Sequence, residues 1–562
     1  MLKSLCNLAA FLFCGLAAAA VPDNVGVAVK FHDYLAVRNS ATAFLSRIAP
    51  DFHRDLPDNW LGDALQCGGV DCINQKGDIC FICFDTPRGP AWAFIVPIKS
   101  SEFYLDSLRA NLGRETMCGD AYCFTGNSRT SGREPVEIKF LVRATNGTIV
   151  LSRDEQTCSA AAGLLKDGLL PELFGNAGSP VRIYLNGRFV SKYREKVITW
   201  LIGLPLVSIV SVESPTAPDR MHLLTDAVLA SAEQVDYARA DVFMRPEGMQ
   251  LALKITPREG TLLDRFMAAQ QPASAGLLAV LPGDPMFACE GRAAALQEVE
   301  EAYMALKAQL AALDSQSAAA LPPADAARAA QHALERLHRF AVNHAGHFAA
   351  ALVLPPADPF GIDYLRVYEM KNAASAKDDL AWEMAAMKAE PLPAEKLAGA
   401  DVLAYRIGNK KKLTELRAAF VGNLMLIASG PSSAANITRM IGLARLEPGE
   451  PAKGAVTQAP SFVAATTAEQ LAPPAKPAAM AFFSLTALLN LAGNSGKAGM
   501  ESLRLVQPTG GLAAWITTSS PRPAAGAAPF TVHLSIPADE LIVTKETILG
   551  DIPLLGLDLP PQ

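Results

Sequence analysis

The segment Thr145–Leu165, TNGTIVLSRDEQTCSAAAGLL, is written a second time, loosely, at Gly422–Ile441 as GNLMLIASGPSSAANITRMI. Each version opens on a turn holding Gly and Asn, runs on as an apolar strand, and ends in a polar cluster before small residues. Asn and Gly adopt positive φ at little cost, so Asn146-Gly147 predicts a hairpin between Ile138–Arg143 and Thr148–Ser152. Gly422-Asn423 predicts another between Leu416–Val421 and Leu424–Ala428. The clusters Asp154-Glu155 and Ser429–Ser433 supply oxygen acceptors where helix N-caps are needed. Ile149–Leu151 and Leu424–Ile427 are apolar on both faces, which predicts central strands.

Further phrases recur in the same order, at offsets of roughly 260 to 300 residues. Ile98–Leu108 is matched by Met370–Leu380, each a strand end that leads into a helix. Pro180–Asn186 is matched by Pro477–Ser484. Val242–Leu253 is matched by Leu505–Trp515, both read as hairpins turned at Pro-x-Gly. Ordered matches of this kind predict two tandem copies of a domain, at 25–265 and 275–550, followed by a Pro/Leu-rich tail at 551–562. The matching residues are turn formers and core apolar residues rather than reactive side chains, so the phrase reads as a building block and not as a site. Hairpins mixed with helices that follow strands predict an α+β fold with a mainly antiparallel sheet flanked by helices. No G-x-G-x-x-G joins a strand to a helix, which disfavours a dinucleotide fold. This pattern resembles uncharacterised exported bacterial proteins built from two tandem α+β domains of unknown function. The resemblance implies no activity and no site residues.

Between the copies the texture changes. Gly291–Leu313 is rich in Ala, Leu and Glu at helical period, and Pro322-Pro-Ala-Asp325 offers a cap for a second helix over Ala326–Asn343. A helical hairpin inserted at 291–346 is expected, belonging to the second copy.

The chain opens with Lys3, an apolar run and Ala18-Ala-Ala20, the pattern of a secretory signal peptide over residues 1–20. The apolar run is shorter than the roughly 20 residues that a membrane span needs. The other apolar stretch, Val197–Val212, carries Gly203 and Pro205 at its middle and reads as a helix end followed by a buried strand, not a span. A periplasmic or extracellular protein is expected, with no transmembrane segment in the mature chain. The net charge of −6 argues against nucleic acid, whose phosphates demand a basic face.

Six cysteines fall between positions 67 and 123: Cys67, Cys72, Cys80, Cys83, Cys118 and Cys123. In an oxidising compartment these are disulfide candidates. The pairs Cys67/Cys72 and Cys118/Cys123 share the spacing C-x4-C, so each could close a tight loop, although spacing alone leaves the connectivity open. Zinc held by Cys67, Cys72, Cys80 and Cys83 is the sharper alternative. It is disfavoured because Cys80-Phe-Ile-Cys83 lies in a strand-like run rather than in a knuckle. Cys158 and Cys289 read as core thiols or a long-range bridge.

Four histidines, His332, His338, His344 and His347, gather at the second predicted helix. His344 and His347 have the spacing that places two side chains on one helical face, and Glu335 stands upstream. Without H-E-x-x-H no general base is positioned beside a zinc pair, so no metal is assigned. No G-x-S-x-G is present; Ser495 reads as a loop serine. Asp378-Asp379 and Glu298, Glu300 and Glu301 read as solvated helix faces. The sequence therefore favours a non-enzymatic binding or structural protein without a cofactor, its partner an envelope or extracellular protein. The alternative is a periplasmic carrier enclosing an apolar, lipid-like ligand.

Overall fold

The computed structural model describes residues 22–292 and 342–542 except 49–55, 68, 129–135, 176–177, 197–216, 271–275, 356–360, 410–411, 448–449, 451, 468–476, 485, 489–510, 519–526 and 528. It also describes positions 301, 302, 305, 335 and 339. The leader 1–20, the apolar stretch 197–212, Ser495 and the tail 551–562 lie outside or almost wholly outside these residues. The chain divides into two units: described residues up to 196 with 224–264, and 265–542 with 217–223. Helices and strands are mixed, and every named strand pairing is antiparallel.

The first unit holds β1 (Val25–Phe31), β2 (Ile79–Thr86), β3 (Gly89–Pro97), β4 (Arg114–Cys118), β5 (Ala121–Ser128), β6 (Val136–Thr145), β7 (Thr148–Ser152), β8 (Val181–Asn186), β9 (Val235–Arg245) and β10 (Gly248–Pro257). In space they run β4-β5-β6-β7-β3-β2-β1-β8-β9-β10. Two helices, α1 (Tyr34–Ile48) and α2 (Leu56–Ala64), connect β1 to β2; α3 (Ser101–Leu112) follows β3, and α4 (Glu155–Lys166) follows β7. Next come α5 (Leu170–Phe174), α6 (Gly187–Lys192), α7 (Ala217–Ala230) and α8 (Leu262–Ala269). The strand β2, ICFICFDT, is buried on both faces along most of its length, as a central strand of aromatic and β-branched residues should be. One face of the sheet meets Cys158, Ala161 and Leu164 of α4 in a core with Ile82, Phe84, Ile95 and Val150. Each apolar side chain buried there stabilises by about 1.5–3 kcal/mol before entropy is counted.

The second unit holds β11 (Pro285–Arg292), β12 (His344–Val353), β13 (Asp363–Met370), β14 (Glu390–Pro391), β15 (Glu395–Leu397), β16 (Ala400–Asn409), β17 (Lys412–Val421), β18 (Leu424–Ser429), β19 (Ala479–Phe483), β20 (Leu512–Thr518) and β21 (Phe530–Pro537). Both short strands β14 and β15 pair with β16, and the order continues β17-β18-β13-β12-β11-β19-β20-β21. Its helices are α9 (Ala373–Ala386), α10 (Ser433–Ala444) and α11 (Pro460–Thr467). Alternation along β13 and β18 divides two cores. Leu365, Val367, Leu426 and Ala428 meet Ile437, Met440 and Ile441 of α10. Met370, Met425 and Ile427 meet Ala376, Leu380 and Met384 of α9 on the opposite face.

The two turns fall where local chemistry puts them. Thr145 pairs with Thr148 across Asn146 (φ 48) and Gly147 (φ 73), positive at both central residues as a type I′ turn requires. Val421 pairs with Leu424 across Gly422 (φ 59), positive only at the first central residue, the place a type II′ turn reserves for glycine. The strands that follow, β7 and β18, each lie between two neighbours.

Three expectations change. Gly291 and Arg292 end a strand, and residues 344–346 begin one, so the proposed helical hairpin cannot span 291–346. Most of 293–341 lies outside the described residues; positions 301, 302, 305, 335 and 339 are helical. His344 and His347 stand on β12 rather than on a helix. The alanine run that follows suits either state, and tertiary pairing with β11 and β13 decides it; Gly346, at φ 84, breaks the helical path. Finally, Leu512–Trp515 belong to one strand whose described partners are β19 and β21 rather than the residues before Pro508; Pro508-Thr-Gly510 itself lies outside the described residues.

Candidate functional site

A small cavity of mixed lining lies in the second unit, under α9. Asn372 caps this helix, its side-chain oxygen accepting from Ala374 N at 3.0 Å and Ser375 N at 3.2 Å. Ala376, Leu380 and Met384 recur at helical spacing and face the sheet, which turns Asp379, Trp382 and Glu383 toward one edge of the contact. There they meet His344, Arg366, Tyr368 and Arg339 around a cavity of about 50 Å³. That is room for a few waters.

The charges around it are largely spent on one another. Asp379 accepts from Asn343 Nδ2, and Arg339 Nη1 lies 3.4 Å from its other oxygen. Arg339 also pairs with Glu335 at 2.9 Å and covers the Trp382 ring at 4.5 Å. Burial pushes the His344 imidazole down to about 4, against the pull of the Asp379 carboxylate, with Lys371 adding to the drop. Its ring stands edge-on to Tyr368 at 5.1 Å. An imidazole held neutral to about pH 4 is a weak base, and the acid beside it is already engaged. Among the described residues the lining contains no serine, threonine or cysteine nucleophile. Of the adjacent pair read as solvated, Asp378 is exposed and Asp379 is the one drawn in.

His347 leaves β12 on the other side. Its Nε2 lies 2.9 Å from Glu290 Oε1 on β11, and its Nδ1 3.5 Å from Glu369 Oε2 on β13. Glu290 also accepts from Leu277 N at 2.9 Å and Leu278 N at 3.1 Å, so the carboxylate is buried with its oxygens occupied. Residues three apart on a strand point to opposite faces, which is why His344 and His347 do not converge. His332 and His338 lie outside the described residues, and Glu335 is occupied by Arg339. Among the described residues no three His, Cys, Asp or Glu side chains gather as a metal site would need.

The eight described cysteines, seven in the first unit and Cys289 in the second, separate into two kinds. Cys67, just after α2, donates from Sγ to Gly69 O at 2.8 Å; the thiol of Cys72 raises Cys67 from the ordinary thiol value, and that of Cys67 lowers Cys72. Cys118 and Cys123 flank the β4–β5 turn as diagonal neighbours, and the Cys123 side chain raises the Cys118 thiol. Cys80 and Cys83 lie on opposite faces of β2, and burial pushes both up to about 12. Cys158, in α4, is pushed up to about 11 by burial, and Cys289, in β11, is raised for the same reason.

No protein-family model matches this chain, and neither does any curated protein or solved structure. The Glu290–His347–Glu369 row and the pocket under α9 escaped the sequence reading. Both need strand register, and the only local hint was His344-Ala-Gly-His347 read on the wrong period.

Proposed function

We propose that the chain is an exported, non-enzymatic binding protein whose two units are tandem copies of one α+β domain, as in the exported bacterial proteins it resembles. The observation that carries the duplication is the strand order: reading β14 and β15 as one broken strand, each unit follows 4-5-6-7-3-2-1-8-9-10 in its own numbering. Single bonds support it. Ile98 N donates to Gly147 O, and Met370 N to Asn423 O; Lys99 N donates to Cys72 O, and Lys371 N to Asn343 O; His32 N donates to Pro180 O, and Arg292 N to Ala478 O. Ser100 and Asn372 cap the helix that follows the third strand in each unit.

A paired substitution supports it further. Lys30 on β1 pairs with Asp78, two residues before Cys80, at 2.6 Å; Glu290 on β11 pairs with His347, two residues before Ala349, at 2.9 Å. Lys30 lies opposite Cys80 and Glu290 opposite Ala349, so the positions correspond and the acidic and basic partners have exchanged strands. In this reading α1 and α2 are the counterparts of 293–343, which stops being an insertion.

For binding, each copy presents an aromatic side chain at the same strand position. Trp92, 42 % exposed, and Tyr364, 38 % exposed, each have a carbonyl that accepts from a serine hydroxyl, Ser152 and Ser429. Exposed aromatics of this size are contact anchors for a protein partner. The carrier alternative finds less support, since the pocket under α9 is small and the groove of about 730 Å³ beside Arg439, Glu450 and Lys453 is open and charged. The test is native mass spectrometry and N-terminal sequencing of the protein from the host's exported fraction. A ligand-free chain starting at Val21 is expected; stoichiometric lipid, or recovery of Met1, would overturn the reading. Loss of a cross-linked envelope partner in Trp92→Ala and Tyr364→Ala variants then locates the surface.

A further inference from the structure

We infer that Cys67–Cys72 and Cys118–Cys123 are two local disulfides of the mature protein, with Cys80, Cys83, Cys158 and Cys289 remaining thiols. The inference rests on the exported reading above, because the bridges need an oxidising compartment.

Six cysteines allow fifteen complete pairings, and the fold selects among them. Cys80 and Cys83 alternate across β2, so their Cβ atoms diverge and cannot be joined without moving the strand. The two C-x4-C pairs are instead local: Cys118 and Cys123 share one face of the β4–β5 hairpin as diagonal neighbours, and Cys67 and Cys72, five residues apart, shift each other's thiols in opposite directions. Cys67 and Cys118 are the partly exposed members of the pairs, while Cys72 and Cys123 are buried, so an oxidant has access to one sulfur of each pair.

The second unit supplies an independent argument. Cys118 pairs with Ala121 across the turn at Gly119-Asp120, and Leu397 pairs with Ala400 across Ala398-Gly399. Cys118 therefore corresponds to Leu397 and Cys123 to Val402. Val402 is fully buried in the core of its unit, and Leu397 packs against that core. Cys123 is likewise in the core, with Cys118 packed against it. Where one unit joins hairpin and core with Leu397 and Val402, the other places Cys118 and Cys123.

The chemistry is thiol–disulfide exchange with a disulfide oxidant, either an oxidoreductase of the exported compartment or oxidised glutathione. One cysteine thiolate attacks the oxidant disulfide and releases a thiol. The neighbouring sulfur then attacks the mixed disulfide, closing the protein bridge and releasing a second thiol. The protein loses two electrons and two protons per bridge, and the oxidant's two sulfurs take them up.

The experiment uses the full chain prepared reduced, incubated natively with oxidised glutathione, blocked with alkylating agent in denaturant and mapped by peptide mass spectrometry. Links Cys67–Cys72 and Cys118–Cys123, with alkylated Cys80, Cys83, Cys158 and Cys289, are expected. Links that join other cysteines, or alkylation of all eight, would overturn the pairing. A Cys118→Leu/Cys123→Val double variant, carrying the second unit's residues, should fold and lose only that link; appearance of a new partner for Cys67 or Cys72 would also count against it. A parallel map of protein from the host reports separately on export. Reduced protein from the host beside bridged protein in glutathione would refute the compartment and leave the pairing standing.

Discussion

In the pair Lys30–Asp78 of the first unit and the pair Glu290–His347 of the second, the second partner lies two residues before the residue opposite the first, yet their surroundings differ. The first is partly solvated, with side chains 26 % and 39 % exposed; the second is closed, at 10 % and 1 %. In the first, hydrogen bonds from Lys30 and His32 hold the Asp78 carboxyl below its ordinary value against the upward push of burial. In the second, Glu290 is bound by backbone amides as well as by histidine. The fold needs two complementary groups at this place, and burial decides how much depends on them.

The largest effect should come from Glu290→Ala, which leaves His347 Nε2 and the Leu277 and Leu278 amides without their acceptor in a buried site. At about 1–3 kcal/mol for each buried group left without a partner, this loss should exceed the others, read as a lower denaturant midpoint. A loss below about 1 kcal/mol would erase the contrast with Lys30. Next is pH. The His344 pKa is depressed when folded, so its proton binds the unfolded chain first, and stability falls as pH drops from about 6.5 to about 4. The loss is on the order of 3 kcal/mol by pH 4. His344→Ile, which installs the residue that the first unit has at Ile73, should flatten that slope; an unchanged slope would assign it elsewhere.

Each proposed disulfide closes a short loop and should add about 2 kcal/mol, lost on reduction. Hydrogen exchange should place that loss around α2 and the β4–β5 hairpin of the first unit; uniform loosening of both units would argue against local staples. The helix caps should behave alike, Ser100→Ala and Asn372→Ala each costing about 1 kcal/mol. A large difference between them would mean that the two helices carry different loads. The smallest effect is Lys30→Ala, expected below about 1 kcal/mol and reduced further by salt, as for other solvated ion pairs.

What the sequence determined by itself is what acts over a few residues. Asn146-Gly147 and Gly422-Asn423 are turns because positive φ is cheap there, and Asp154, next to the strand it follows, caps α4 through Thr157 N at 2.8 Å. Ile98–Leu108 and Met370–Leu380 read as strand ends entering helices for the same reason. Only the tertiary structure decided the rest. His344 and His347 lie in an alanine-rich run that suits helix or strand, and two flanking strands settle it. The partners Lys30–Asp78 and Glu290–His347 lie 48 and 57 residues apart in sequence, and only strand register brings them together. The same register sends Cys80 and Cys83 to opposite faces and sets Cys118 against Cys123, because a side-chain period of two makes each contact depend on where the neighbouring strand begins.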